Sequence, residues 1–104
     1  MIPGKFQKQP AESFYYGAQF SNVIDTDNES INISGSSVVA VDNGGDEDTS
    51  VYTAVSLAVV NDTILAVRVK AGVEAKSPYK LTYVVSTTLN NIYEKDVFME
   101  IIEV

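Results

Sequence analysis

The chain has 104 residues, with seven Lys and Arg against fourteen Asp and Glu for a net charge of −7, and it contains no Cys, His or Trp. These absences remove cysteine nucleophiles, thiolate zinc sites, imidazole acid–base chemistry, c-type haem attachment and disulfide frameworks. Seven basic residues scattered along an acidic chain offer no continuous phosphate-tracking surface, which argues against nucleic acid and an anionic membrane as partners.

What remains is biased towards strand: Val, Ile, Thr, Tyr and Phe supply 40 residues and Leu only 4. The length suits one domain. Residues 1 to 11 carry Pro3 and Pro10, two lysines and two glutamines, with Phe6 as the large apolar anchor. They read as an extended N-terminal arm ahead of a single domain at 12–104, and trimming residues 1–10 is then expected to leave the thermal transition nearly unchanged. No apolar run exceeds four residues, so no signal core or membrane span is predicted. Together with a start at Met1 and no cysteine, this predicts a protein that is made and stays in a cytoplasm; the alternative is a signal peptide removed and replaced by an initiating Met.

The first predicted strand is Glu12 to Gln19, where Phe14, Tyr16 and Ala18 alternate with Ser13, Tyr15 and Gly17, and Pro10 ahead of it suits a sheet edge. Phe20 to Ile24 fits either a short helical turn or an irregular crossing. A second strand starts near Glu29, breaks at Ser34 to Ser37 in the manner of a bulge, and resumes as Val38 to Val41. The acidic stretch Asp42 to Asp48 is a loop. Strands at Ser50 to Val60 and Thr63 to Ala71 are joined by Asn61-Asp62, a pair that tolerates positive φ. In the second, Leu65, Val67, Val69 and Ala71 share one face. Gly72 to Pro78 is a polar connection. Tyr79, Leu81, Tyr83 and Val85 alternate with polar residues, and after Asn90-Asn91 a last strand closes a long hairpin. Around seven short strands with regular turn signals predict an all-β fold, an immunoglobulin-like antiparallel β-sandwich.

Chemistry-bearing clusters are few. The carboxylates of Asp42 to Asp48 could ligate calcium, but their spacing lacks the helix–loop–helix pattern, and they read more simply as solubilising an exposed loop and protecting a strand edge. Asp25 to Glu29 reads as a solvated turn. Asn28, Asn32 and Asn61 head Asn-x-Ser/Thr triplets, which matter only in a secreted protein. Tyr15, Tyr52 and Tyr93 could form a contact patch for sugar or protein, or simply cover strand faces. No catalytic, cofactor-binding or metal-ligating residue is assigned, and no cofactor.

Phe6-Gln7-Lys8-Gln9-Pro10-Ala11-Glu12, leading through Phe20-Ser21 into Val23-Ile24, resembles the start of small bacteriophage and prophage virion proteins of the fiber–tail adaptor type. The closing half is similar to them too: Ala71-Gly72, then Tyr79 to Thr88, a turn, Glu94-Lys95-Asp96 and a terminal strand. The chain departs from that pattern at Asn90-Asn91 and at Glu74 to Pro78, where more glycine belongs. The resemblance implies an immunoglobulin-like virion structural protein without enzymatic activity, a tail or neck adaptor that bridges other virion proteins. It also implies assembly in the bacterial host cytoplasm, an arm that orders against a neighbour, a homo-oligomer in the particle, and a corner role for Tyr79. The competing expectations are a carbohydrate-binding or adhesion module outside a phage and, further off, a small hydrolase.

Overall fold

Along Ile64–Val69 the side chains of Leu65, Val67 and Val69 are completely buried while Arg68 between them reaches solvent. The period-two pattern of the sequence thus becomes the middle strand of a sheet. The computed structural model describes residues 4–103. Its strands are Gly4–Lys8 (β1), Phe14–Gln19 (β2), Ile31–Val41 (β3), Tyr52–Val60 (β4), Ile64–Val69 (β5), Tyr79–Thr87 (β6) and Ile92–Ile101 (β7). One sheet has the order β1-β7-β6-β3 and the other β2-β5-β4. Every pairing is antiparallel except β1 with β7, which is parallel.

The chain passes from sheet to sheet between β1 and β2, β2 and β3, β3 and β4, and β5 and β6. This is the immunoglobulin-like sandwich expected from the sequence. Its core is built from the inward residues Leu81, Tyr83, Val85, Met99 and Ile101 of one sheet and Ala18, Leu65, Val67 and Val69 of the other. Phe20 and Ile24 bury themselves by a single helical turn, with the Ile24 N–H donating to the Phe20 carbonyl at 3.0 Å. Among the described residues no helix is long and apolar enough to cross a membrane.

Asn61 and Asp62 adopt φ of 52° and 62°, the mirror-image turn that matches strand twist, so the β4–β5 hairpin follows from that dipeptide. Asn90, with φ of 63°, turns β6 into β7. Tyr79 stands at the start of β6, where its hydroxyl accepts the Val73 N–H at 3.1 Å. That bond closes the corner between β5 and β6.

The two edge strands β3 and β4 each carry an irregularity of the same design. In β3, residues 33–36 face only Val85; in β4, residues 54–57 face only Val67. A serine fills the gap in each ladder. Ser36 Oγ donates to the Asn32 carbonyl at 2.8 Å and accepts the Ser86 N–H at 3.2 Å. Ser56 Oγ donates to the Thr53 carbonyl at 2.6 Å and accepts the Arg68 N–H at 2.9 Å. The hydroxyl therefore stands in for a strand carbonyl. Ser36→Ala and Ser56→Ala are each expected to lose about 1–3 kcal/mol of stability in urea titrations, because each orphans a sheet N–H; serine-to-alanine changes at Ser34 and Ser37 provide the baseline.

The segment read as an arm requires correction. Gly4–Lys8 is extended, but it is a strand of the domain, paired with β7 from Gly4↔Val97 to Lys8↔Ile101. Phe6 stacks on Tyr16 at 3.8 Å between ring centroids and meets Phe14 edge-on at 6.0 Å, closing the seam between the sheets. Lys8 is buried, and its ammonium donates to the carbonyls of Gln9, Pro10 and Ala71. Those three bonds use its full donor capacity. Burial pushes the Lys8 pKa below the ordinary lysine value, with Glu12 opposing the shift. Met1, Ile2 and Pro3 lie outside the described residues.

Candidate functional site

Three connections meet at one end of the sandwich: residues 20–30 between β2 and β3, the Asn61-Asp62 turn, and residues 88–91 between β6 and β7. They are tied by backbone bonds, Phe20 N–H to the Thr63 carbonyl at 2.8 Å, Ile31 N–H to the Asp62 carbonyl at 3.0 Å and Thr88 N–H to the Ser30 carbonyl at 3.0 Å. Between them lies an open groove of about 380 Å³ lined by Asp27, Asn28, Glu29, Asn61, Asp62 and Thr88, among others.

Glu29 is the structural centre of this end. It is buried, and its carboxylate accepts from the Thr87 hydroxyl, from the Asp25 N–H at 3.0 Å and from Asn91 Nδ2 at 3.2 Å. One side chain thus clasps the β2–β3 loop to the β6–β7 turn. The Thr87 hydroxyl bond, then the Asp25 N–H, hold its pKa below the ordinary glutamate value. A depressed carboxylate stabilises the fold above its unfolded pKa, about 4.3, and that stability is lost as pH falls through the folded value. Glu29→Gln is therefore expected to lower the melting temperature at neutral pH, with the gap to the parent closing as the pH drops below about 4. A gap that stays constant with pH would show the charge to be irrelevant.

The acidic loop lies at the opposite end. Asp42 Oδ1 accepts the N–H groups of Gly44 at 2.9 Å and Asp46 at 3.1 Å, and Asp48 caps the short 3-10 turn at Thr49–Val51 by accepting the Ser50 N–H at 2.9 Å. The Ser50 hydroxyl and N–H hold Asp48 below the usual carboxylate range. Asn43 fastens the loop to the β5–β6 connection, donating from Nδ2 to the carbonyls of Ala75 and Ser77 at 3.1 and 3.0 Å. Two of its carboxylates are thus engaged by their own backbone. Among the described residues no three Asp or Glu side chains come together to hold a metal. Millimolar calcium is expected to leave the melting temperature unmoved; an upward shift would reveal a site.

The three tyrosines weighed as a contact patch do not meet. Tyr15 lies half exposed on β2 beneath the Arg68 guanidinium, 4.7 Å from its ring centre; Tyr52 is buried on β4; Tyr93 packs against the core from β7. Of the sequon asparagines, Asn28 and Asn61 share the groove, while Asn32 sits at the start of β3 and accepts from Ser34.

Sequence reasoning missed Lys8, Glu29, Ser36 and Ser56 as structural keystones. Only Glu29 had a visible signal, a carboxylate four residues after Asp25, the spacing at which it caps the Asp25 N–H. The groove is thus lined by Glu29, whose two carboxylate oxygens are engaged by the Asp25 N–H and Asn91 Nδ2, and by the exposed carboxylates of Asp27 and Asp62. A scan against protein-family models and a search of curated proteins found no match for the chain.

Proposed function

We propose that this protein is a non-enzymatic virion structural protein of a bacteriophage or prophage, a tail or neck adaptor that bridges neighbouring virion proteins. The observation that carries this reading is how the side chains are allocated. Lys8, Glu29, Asn43 and Asp48, the groups best suited to chemistry, hold loops in place, while Ile92, Leu89, Val55 and Val73 stand in solvent. A rigid sandwich with fixed loops and exposed apolar side chains suits docking against other proteins. A sugar-binding module needs a shared aromatic platform, which Tyr15, Tyr52 and Tyr93 do not make. The resemblance of the N-terminal and C-terminal segments to tail adaptors supplies the setting.

The test is mass spectrometry of particles purified from the source strain, read with the neighbouring genes. Stoichiometric recovery of this chain beside genes for portal, tail tube or terminase is expected. Absence from particles, or neighbours that encode secretion or polysaccharide enzymes, would overturn the assignment.

A further inference from the structure

Four strands end the two sheets, and three of these edges are guarded against pairing with another chain. β3 and β4 are interrupted by their bulges, and β1 carries Lys5, the residue type that most often blunts a sheet edge. β2 has no such guard. Phe14–Gln19 contains no charge, no proline and no bulge, and its ladder with β5 runs unbroken from Phe14↔Val69 to Gln19↔Ile64. Just beyond it the Phe20 N–H donates to the Thr63 carbonyl at 2.8 Å, which makes Phe20 and Thr63 a hydrogen-bonded pair. Antiparallel alternation then turns the main chain of Ala18, Tyr16 and Phe14 towards β5. The N–H and carbonyl groups of Tyr15, Gly17 and Gln19 point the other way, out of the sheet.

Beside that edge lies an open groove of about 360 Å³ with walls from both sheets, lined by Gly4, Tyr16, Ala18, Lys95 and Val97 among others. We propose that β2 takes up an extended segment of a partner protein as a fourth strand of its sheet, seated in this groove. The edge itself specifies the occupant. Alternating donors and acceptors that repeat every second residue, about 7 Å apart, are matched by another extended main chain. From Tyr15 to Gln19 the edge is about 14 Å long, which four added residues span. Side chains of the segment that turn inward meet Ala18, Tyr16 and Val97, so apolar groups belong at alternate positions.

Charge selects one end of the segment. Lys95 Nζ donates to the Gln19 carbonyl at 2.6 Å and lies 5.7 Å from the centre of the Phe20 ring. It holds the place that an added N–H would take. In a chain of net charge −7, the described residues that line the groove carry this one cation and no carboxylate. An Asp or Glu at that end of the segment draws the ammonium off the carbonyl and frees it for the strand. The inference rests on the adaptor reading, and it names how such an adaptor holds its partner, by main-chain bonds along β2.

The experiment is hydrogen–deuterium exchange, resolved to single amides by mass spectrometry, on the isolated chain and on the chain in purified particles. In the isolated chain the Gly17 and Gln19 amides should exchange fast beside slow Tyr16 and Ala18. In particles they should slow by at least about tenfold. Gln19→Pro removes an outward N–H and no bond to β5, and it is expected to reduce incorporation into particles by about tenfold. Lys95→Glu keeps the main chain intact and sets like charges against each other, with a loss of about the same size. Lys70→Glu, exposed and away from the groove, should be incorporated as the parent is. A chain absent from particles overturns the adaptor reading and this inference with it. Three results would overturn this inference alone: Gly17 and Gln19 amides that stay fast in particles, incorporation of Gln19→Pro and Lys95→Glu at the level of Lys70→Glu, or protection that appears on concentrating the isolated chain, which would make the occupant a second copy.

Discussion

Deleting residues 1–8 is expected to lower the melting temperature by roughly 15 °C or more, at about 4–8 °C per kcal/mol for a domain of this size. The loss has three physical sources. Five residues of parallel pairing leave the outer edge of β7 bare from Val97 to Ile101. The rings of Phe14 and Tyr16 lose the Phe6 side chain that stacks between them and solvent. The carbonyls of Gln9, Pro10 and Ala71 lose the ammonium that gathers them. Phe6→Ala isolates the second source. Removing a half-buried ring there should cost about 2 kcal/mol, less than the roughly 3–5 kcal/mol of a fully buried aromatic because Phe6 is only partly covered, and lower the midpoint by about 10 °C. Calorimetry on the truncated and single-site proteins checks both figures. A truncated protein that melts within a few degrees of the parent would restore the arm reading and make β1 a strand the domain does without.

Why β1 escaped the sequence while β5 and β6 did not is a matter of range. The alternation in Ile64–Val69 and Tyr79–Thr87 is local: each residue's own neighbours show which face is apolar, and the burial follows. Gly4–Lys8 alternates too weakly to be read this way, and its partner β7 lies at the far end of the chain. The same division separates the two bulges. Ser34-Gly35-Ser36-Ser37 interrupts a run of β-branched residues, so the break in β3 is visible. Ala54-Val55-Ser56-Leu57 reads as uninterrupted strand, and the break in β4 depends on Ser56 capturing the Arg68 N–H from the neighbouring strand. The candidate site was less legible than the fold for the same reason: Glu29 looks like one acid in a polar turn until Thr87 and Asn91 fold over it.

Replacing Gly72 by Val is expected to cost about 3–5 kcal/mol, a large part of the 5–15 kcal/mol that stabilises a typical domain. Gly72 has φ of +96°, a conformation that a β-branched residue adopts only with strain of about 1–3 kcal/mol. Space is equally restricted. A Cβ at this position would lie 2.8 Å from Ile101 Cδ1, 3.0 Å from Ile101 Cγ1 and 3.5 Å from Tyr79 Cε1, so a larger side chain must displace core atoms, at about 1–3 kcal/mol. Both penalties fall on one corner. The Val73 N–H reaches the Tyr79 hydroxyl only because Ala71, with φ of 51°, and Gly72 turn the chain over the end of β7. Tyr79→Phe, which removes the hydroxyl and keeps the ring, should cost about 1 kcal/mol. Gly72→Ala should fall between the two. Urea denaturation of the three variants therefore separates backbone turn from hydrogen bond: the order Val, then Ala, then Tyr79→Phe identifies the close approach of Gly72 to Ile101 as what holds the corner. A Tyr79→Phe loss as large as that of Gly72→Val would instead make the tyrosine hydroxyl the dominant element.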